Sequence, residues 1–475
     1  MFKNFYVLLS LFVAVLGEIS SVYAQNYSAI DTSFSTDVIG MNEQYLAPDY
    51  WLKKLPINAK ILMSTQQIAG QNAALIKNNP YVSDPLVVAG SLSKNELTIL
   101  VENISKIPTG ERFYGDGTKV SQQKFKQYTD STNIQAITQN NKVEFGLVVN
   151  RAPLRTFPTF DKVYKKGGDG DLDRFQESSV FPGDAVAILH TSMDAKWVLV
   201  QTYNYLAWMQ KSDIAIGDKT TIAAYKNDDN FLVTTGGKVF TNYVPHHPQI
   251  SNLQIDMGTR LPLAKRTEYG NKVYGQNPYA NYIVKLPTRT VTGKLKIVLA
   301  LIPRSQDVHR GYLPFTQQNI IIQAFKFLGE RYGWGHDYNG RDCTGFVGEV
   351  YKSFGFKMPR NSGDQGKSFY GINYRFDKSK KMMDKINVVN NMETGDLIYI
   401  PGHVMIVLGK EQGKPFIIHD VHGLSYLQKN GDLYRGVLNG VSVTPLLPLK
   451  LSKSTSYTDR IYNIKRISSI TNESR

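Results

Sequence analysis

Residues 342–346 read Asp-Cys-Thr-Gly-Phe and contain the only cysteine of the 475-residue chain. From Cys343 onward, apolar residues recur at helical spacing as far as Phe354, and Gly355 then favours the end of a helix. This pattern predicts a helix that begins at Cys343. The unpaired N–H groups and the dipole of a first turn favour a thiolate, so we expect a thiol pKa below the usual value of about 8.5.

A predicted group of strands downstream supplies two histidines. Residues 396–400 and 403–408 are separated only by Pro-Gly, which predicts a hairpin, and the apolar second segment predicts a buried strand. Another strand is predicted over residues 415–420, after a polar turn. If that turn has five residues, His403 lies directly opposite His419.

A thiol at a helix start, a histidine that accepts its proton and a polar group that orients the histidine form the constellation of a cysteine peptidase. We assign Cys343 as the nucleophile, His403 as the base and acid, and His419 as the residue that fixes the tautomer of His403. His422 is an alternative for this third role. The backbone N–H of Cys343 would help to hold the oxyanion. A Cys-His-His zinc site is another interpretation of these residues.

The predicted secondary structure of the upstream sequence changes along the chain. Residues 25–140 predict a mostly helical region, whereas residues 141–218 and 219–305 contain short β-rich runs that are typical of small barrels. Residues 306–475 show helices followed by strands, and Asn319 is predicted to cap the first of these helices. The expected fold is therefore a multidomain α+β architecture with a helical N-terminal region, two small β-barrels and a C-terminal α+β domain.

The N-terminus and the composition predict where the protein works. Residues 1–24 combine Lys3, an apolar run and Val-Tyr-Ala at 22–24, which indicates a secretory signal peptide. No later segment reaches the ~20 apolar residues of a membrane span. The 55 Lys and Arg against 40 Asp and Glu give a net charge of +15, but they are scattered, so no nucleic-acid partner is expected. We expect an exported protein of the periplasm or cell envelope, with no cofactor and no metal.

Five short motifs together resemble the NlpC family of bacterial cell-wall cysteine peptidases. They are Tyr332-Gly333-Trp334-Gly335, Asp342-Cys343-Thr344-Gly345-Phe346, Pro359-Arg360-Asn361-Ser362, Gly395-Asp396-Leu397 and Gly402-His403-Val404. Thr344 departs from the serine that is usual in the family, and the spacing from His403 to His419 is longer than usual. The resemblance implies a papain-like α+β catalytic domain. The upstream regions resemble the N-terminal helical cap and the two SH3-like domains of one branch of this family.

The resemblance implies hydrolysis of the bond between γ-D-glutamate and the diamino acid, commonly meso-diaminopimelate, of peptidoglycan stem peptides. It further implies a dipeptidyl-peptidase that requires a free N-terminal L-Ala, because the first SH3-like domain crowds the active site. The side chains implied to bind the L-Ala ammonium are Asp342, Tyr205 and Asp173. Those implied to hold the D-Glu carboxylate, or to line the pocket, are Thr344, Asn361, Ser362 and Tyr332. A non-catalytic peptidoglycan-binding protein and a thiol acyltransferase are the alternative functions.

Overall fold

The computed structural model describes residues 34–167, 170–377 and 382–468, and the predicted signal peptide lies outside them. Within these ranges, no helix is both long enough and apolar enough to cross a membrane. The elements described below belong to one compact unit, Val38–Arg475.

The N-terminal region is helical, as predicted. Its helices are α1 (Pro48–Leu52), α2 (Thr65–Asn78), α3 (Lys94–Ile104) and α4 (Gln122–Ser131), with the short strands β1 (Ser91–Ser93) and β2 (Asn140–Lys142). Ser64 and Ser93 begin α2 and α3 with capping boxes, which satisfy N–H groups that a helix start leaves unpaired. Trp51 of α1 packs against Phe416 of the C-terminal domain, with ring centroids 5.5 Å apart. The helical region is thereby anchored to the core that also carries the cysteine.

The first β-rich stretch forms one seven-stranded sheet. Its strands are β3 (Glu144–Val148), β4 (Ala152–Arg155), β5 (Gln176–Val180), β6 (Ala185–Thr191), β7 (Trp197–Gln201), β8 (Leu206–Gln210) and β9 (Ile214–Gly217). Their spatial order is β5-β4-β8-β7-β6-β3-β9, and all of the pairs are antiparallel. Alternate side chains such as Val186, Val198 and Met209 fill a shared core.

The second β-rich stretch follows helix α5 (Lys219–Asn227) and consists of three small sheets. Its strands are β10 (Phe231–Thr234), β11 (Lys238–Phe240), β12 (Gln254–Asp256), β13 (Arg260–Pro262), β14 (Asn281–Arg289), β15 (Leu295–Pro303) and β16 (Val308–Arg310). Leu232, Ile255 and Val284 bring all three sheets around one apolar core.

The C-terminal domain is a six-stranded antiparallel sheet with helices on both faces. Its elements are α6 (Gln317–Phe325), α7 (Cys343–Lys352), α8 (Ser362–Lys367), β17 (Ile372–Arg375), α9 (Met382–Asn390), β18 (Leu397–Ile400), β19 (His403–Glu411), β20 (Lys414–Leu427), β21 (Leu433–Pro445), α10 (Tyr457–Arg460) and β22 (Asn463–Arg466). The strand order is β17-β22-β18-β19-β20-β21. Even-numbered residues of β19, such as Ile406, pack toward α6 and α7, and odd-numbered ones, such as Val407, toward α9 and α10.

Two local predictions about this domain are wrong. The N-cap of α6 is Thr316, whose hydroxyl accepts a hydrogen bond from the Asn319 N–H at 3.1 Å. Asn319 lies within the first turn and donates from its side chain to the Pro314 carbonyl instead. Thr316 has the extended backbone that a cap requires, and it lies at the true start of the apolar helical face.

The second error concerns the register between β19 and β20. The turn has two residues, 412–413, both with positive φ (49° and 77°), and not the expected five. Ile406 pairs with Ile418, so His403 and His419 are diagonal neighbours on one face of the sheet and not direct partners.

Candidate active site

Helix α7 begins at Cys343, the predicted nucleophile, as the sequence pattern predicts. Asp342 is its N-cap, and one carboxylate oxygen (Oδ1) accepts a hydrogen bond from the Gly345 N–H at 2.9 Å. Cys343 is 8% exposed, and the backbone N–H of Val404 forms a hydrogen bond to its sulfur. Because Val404 follows His403 directly, α7 places the thiol at the start of β19.

The two predicted catalytic histidines meet. Nε2 of His403 lies 2.9 Å from Nδ1 of His419, and Nε2 of His419 lies 3.0 Å from the hydroxyl oxygen of Thr444. When His403 donates from Nε2 and His419 donates to Thr444, Nδ1 of His403 is left as the acceptor for the thiol proton. Across the described ranges, no cluster of His, Cys, Asp and Glu side chains is arranged to hold a metal ion.

His422, the alternative third residue, lies elsewhere. Its ring meets the ring of Tyr332 edge-on at 6.3 Å, in a stretch of β20 where the ladder changes register. The structure therefore places His419, and not His422, beside His403. Sequence reasoning missed Thr444, because it comes from β21, and only the pairing of β21 with β20 brings it under the imidazole.

The protonation states of this pair follow from its burial. Burial, and then the negative charge of Asp342, raise the pKa of the Cys343 thiol to about 12, while burial lowers the pKa of His403 to about 4. Burial also lowers the pKa of His419. The resting pair is therefore a neutral thiol and a neutral imidazole. The expectation of a lowered thiol pKa is wrong for this resting site, because lost hydration outweighs the helix N-terminus.

Asp342 is held by a buried arginine. Although burial opposes its ionisation, Arg360 keeps the pKa of Asp342 well below its usual range, with Nη2 and Oδ2 2.7 Å apart. The Gly335 N–H and the Thr344 hydroxyl donate to the two carboxylate oxygens at 3.0 and 2.9 Å. Arg360 also donates to the hydroxyl of Ser178 on β5 at 2.7 Å. Arg360 therefore links Asp342, the N-cap of α7, to the first β domain through direct hydrogen bonds.

The ion pair continues into a buried polar network beneath α7. It consists of Asp342, Arg360, His336, Glu349 and Arg341. His336 lies 3.3 Å from Arg360 and 3.1 Å from Glu349, and Arg341 donates to Glu349 at 2.6 Å. Sequence reasoning did not find this network. In the sequence, the only sign of this network is that charged residues occur inside otherwise apolar motifs.

The first β domain contributes a carboxylate that the sequence did not indicate. The Tyr205 hydroxyl donates to Oε2 of Glu177 at 2.5 Å, and Thr156 donates to Oε1 at 2.6 Å. Glu177 is half-buried and is adjacent in sequence to Ser178, the partner of Arg360. By contrast, Asp173 is fully buried and ion-paired to an arginine of its own domain, so the structure does not bring it to this site.

The remaining predicted residues flank the nucleophile. Asn361 is exposed and donates to Asp364 at 3.0 Å, and Ser362 is the first residue of α8. Tyr332 is buried, and its pKa is raised by burial and by the nearby Cys343. Thr344 is also buried, and its hydroxyl lies between Asp342 and Arg360.

Asp420, next to His419 on β20, is a fully buried carboxyl group. Among the described residues, neither of its oxygens has a hydrogen-bond partner. Burial raises its pKa well above the usual value, and Asp342 and Glu330 act in the same direction. An uncharged carboxyl group therefore lies close to the nucleophile, and its ionisation is unfavourable in the folded state.

We expect Asp420→Asn to stabilise the protein at pH 7. An acid with a raised pKa in the folded state opposes folding once the pH exceeds its unfolded value of about 3.9, and the asparagine removes this contribution. The expected gain in the free energy of unfolding is about 1.4 kcal/mol for each pH unit above about 3.9 at which the folded acid stays protonated, so it shrinks toward pH 4. Urea unfolding at both pH values measures it, with Asp384→Asn on the exposed face of α9 as the control. A gain that does not change with pH would contradict the inference that Asp420 is a buried acid with a raised pKa.

Comparisons with known proteins identify two domains in the chain. Residues 158–210 match an SH3 domain of the SH3b1 type, and residues 329–442 match the NlpC/P60 family. The chain is 30% identical over 105 residues to the gamma-D-glutamyl-L-lysine dipeptidyl-peptidase of Bacillus subtilis, which covers 22% of this chain and 28% of that protein. It is 24% identical over 254 residues to the protein of the same name from Bacillus cereus, which covers 51% of this chain and 63% of that protein. The matches thus span less than two thirds of either relative.

A solved structure shares the fold. The NlpC/P60 endopeptidase from Photobacterium damselae subsp. piscicida has a TM-score of 0.70 at 17% identity, covering 88% of this chain and 96% of that one. The expected multidomain α+β architecture is confirmed. The family match contains Cys343, His403 and His419, and the SH3 match contains Glu177 and Tyr205. The chain therefore carries a C-terminal domain of the NlpC/P60 family of cysteine peptidases, preceded by an SH3 domain of the SH3b1 type.

Proposed function

We propose that this chain is a dipeptidyl-peptidase that hydrolyses the γ-D-Glu–diamino acid bond of peptidoglycan stem peptides and releases L-Ala-D-Glu from peptides with a free N-terminal L-Ala. The names of the two Bacillus relatives support this substrate class. The observation that carries the proposal is the Glu177–Tyr205 pair, which the SH3 domain contributes beside the nucleophile network. A carboxylate beside this network can form an ion pair with a substrate ammonium.

Two carboxylates compete for the role of ammonium ligand. Asp342 already accepts hydrogen bonds from two backbone N–H groups, the Thr344 hydroxyl and both terminal nitrogens of Arg360. Glu177 accepts one hydrogen bond on each oxygen within the described part of the chain, and a carboxylate has about four acceptor sites. We therefore propose Glu177, with Tyr205, as the ligand of the L-Ala ammonium, and Asp342 as the residue that positions Cys343.

The proposed reaction uses the neutral thiol and imidazole. The Cys343 thiol transfers its proton to Nδ1 of His403 while the sulfur attacks the γ-carbonyl carbon of D-Glu. The backbone N–H of Cys343 helps to hold the oxyanion. His403 then gives the proton to the amine of the diamino acid, which leaves. Water attacks the thioester with His403 as base, and L-Ala-D-Glu is released as the thiol re-forms.

The rest of the proposal concerns the other binding residues, the domains and the location. Asn361 and Ser362, at the start of α8, are proposed to hold the D-Glu carboxylate, with Tyr332 against the substrate. The proposed domains are the helical cap (25–140), two SH3-like domains (141–218 and 219–305) and the catalytic domain (306–475). We further propose export to the periplasm or cell envelope.

The test compares L-Ala-γ-D-Glu-meso-diaminopimelate with its N-acetylated form. The wild-type protein is expected to release L-Ala-D-Glu from the free peptide only, as detected by mass spectrometry. Glu177→Gln is expected to raise KM for the free peptide about 10- to 100-fold with little change in kcat, because one charge-assisted contact to the ammonium is lost. Glu102→Gln, at an exposed position on α3, is the matched control.

The other outcomes separate the alternatives. Equal cleavage of both peptides would support a hydrolase that does not require a free N-terminal ammonium group. Cleavage of neither, with the thiol reduced, would favour the peptidoglycan-binding alternative. Transfer of the dipeptide to an added amine in preference to water would indicate an acyltransferase.

A further inference from the structure

A cavity of about 490 Å³ lies behind the nucleophile helix. Gly345, Gly348 and Lys352 of α7 line it, and their spacing places them on one face of the helix. Its other walls come from the α2 and α5 regions and from both β domains. Of the described residues, neither Cys343 nor the two histidines line it, but Thr344, Arg360 and Ser178 do, so this cavity adjoins the polar network of the candidate active site without containing the thiol.

Of the described residues, five Lys and Arg side chains and three Asp and Glu side chains line this cavity. Lys226, Arg260, Lys352 and Lys357 all line it. Lys226 is paired with Asp84 at 2.6 Å, and Lys352 lies 3.5 Å from Asp184. For the Lys357 amine, the described residues supply no hydrogen-bond or ion-pair partner. Burial, followed by repulsion from the neighbouring cations, lowers the pKa of Lys357 to about 8.

Two tyrosine hydroxyls accompany these cations. Tyr203 and Tyr312 line the cavity, and both interact electrostatically with Lys352. In the ranges that the structure covers, neither hydroxyl has a hydrogen-bond partner. Burial raises the pKa of both tyrosines, so both remain protonated donors. The cavity thus combines hydroxyl donors with a lysine amine that, among the described residues, has no direct hydrogen-bond or ion-pair partner.

Four large apolar side chains form a further part of the wall. Phe181, Phe231, Phe356 and Met358 contribute to it. A few polar groups in an otherwise apolar cavity of about 300–1,000 Å³ are typical of sites for small organic molecules. The apolar wall suits the body of such a molecule, and the cations suit a negatively charged group on it.

We propose that this cavity binds a small organic anion, with its carboxylate or phosphate group held by Lys357, Lys352 and the Tyr203 and Tyr312 hydroxyls. Each contact is a charge-assisted hydrogen bond to an anionic oxygen, donated by an ammonium group or by a hydroxyl. The anion supplies a direct partner for the Lys357 amine, which interacts with the Asp84 carboxylate only electrostatically. The apolar body lies against the phenylalanine side of the cavity. Because α7 forms one wall, a bound anion stabilises the helix that carries the thiol.

Calorimetric titration of the full chain tests the proposal with three probes of similar shape: benzoate, phenyl phosphate and the neutral benzyl alcohol. At least one of the two anions is expected to bind, and the alcohol at least about tenfold more weakly. Binding of only one anion identifies the preferred charged group. Lys357→Gln is expected to weaken anion binding about tenfold or more, and Tyr312→Phe by a smaller factor.

Lys126→Gln on the exposed face of α4 is the matched control and is expected to leave the affinity unchanged. Melting temperatures of the ligand-free variants establish that each one is folded. The proposal is overturned if neither anion binds, if benzyl alcohol binds as tightly as the anions, or if folded Lys357→Gln retains the wild-type affinity.

Discussion

The Cys343→Ala protein is expected to release no L-Ala-D-Glu above the uncatalysed background, a loss of at least about 10⁴-fold in kcat. The substitution removes the only thiol of the chain, which lies at the start of α7 beside β19. Without the sulfur, no thioester can form, and His403 has no proton to accept. Mass spectrometry of the tripeptide digest measures the loss. Wild-type protein diluted about 10⁴-fold sets the detection limit.

The His403→Ala variant and the double variant with Cys343→Ala provide the matched comparison. Residues that act as one unit lose activity non-additively, so the double variant is expected to be no slower than Cys343→Ala alone. Circular dichroism and melting temperature show whether each variant is folded. Activity within tenfold of wild type in folded Cys343→Ala would exclude covalent catalysis by this thiol.

Replacing Arg360 by methionine is expected to destabilise the folded protein by about 3–5 kcal/mol at pH 7, because it leaves the buried carboxylate of Asp342 without its partner. Arg360 is also bonded to Ser178, so the loss affects the contact between the catalytic domain and the first β domain. Urea unfolding monitored by tryptophan fluorescence measures it. The double variant Asp342→Asn/Arg360→Met is expected to recover much of the stability, since no buried charge remains.

The pH dependence of this effect follows from the depressed pKa of Asp342. Such a group stabilises the folded state above its unfolded pKa of about 3.9, and this contribution is lost as the pH falls toward the folded value. The gap between wild type and Arg360→Met is therefore expected to be largest near neutral pH and to narrow in acid. Arg375→Met, at an exposed arginine, is the control. An equal loss of stability in Arg375→Met would show that Arg360 has no special role.

The position of the nucleophile could be predicted because it rests on local patterns. The apolar spacing after Cys343 and the stop at Gly355 determine a helix regardless of the rest of the chain. The Pro-Gly turn at 401–402 likewise determines the hairpin that begins β19 at His403. Local chemistry of this kind is visible in a single sequence.

The features that the sequence did not show depend on distant contacts. Thr444 reaches His419 only through the pairing of β20 with β21, and Ser178, which follows Glu177, meets Arg360 only because the SH3 domain contacts the C-terminal domain. The predicted β19–β20 register is wrong because the turn at 412–413 has two residues and not the expected five. The predicted thiol pKa is wrong for a similar reason, since Cys343 is buried beside strands β19 and β20, which lie far from it in the sequence.

The most direct test of the central claim is digestion of L-Ala-γ-D-Glu-meso-diaminopimelate in water enriched in the heavy oxygen isotope. Hydrolysis through a Cys343 thioester predicts L-Ala-D-Glu with one heavy oxygen in its γ-carboxyl group, free diaminopimelate without label, and neither product with Cys343→Ala. Cleavage at another bond, or labelled product from folded Cys343→Ala, would contradict the account.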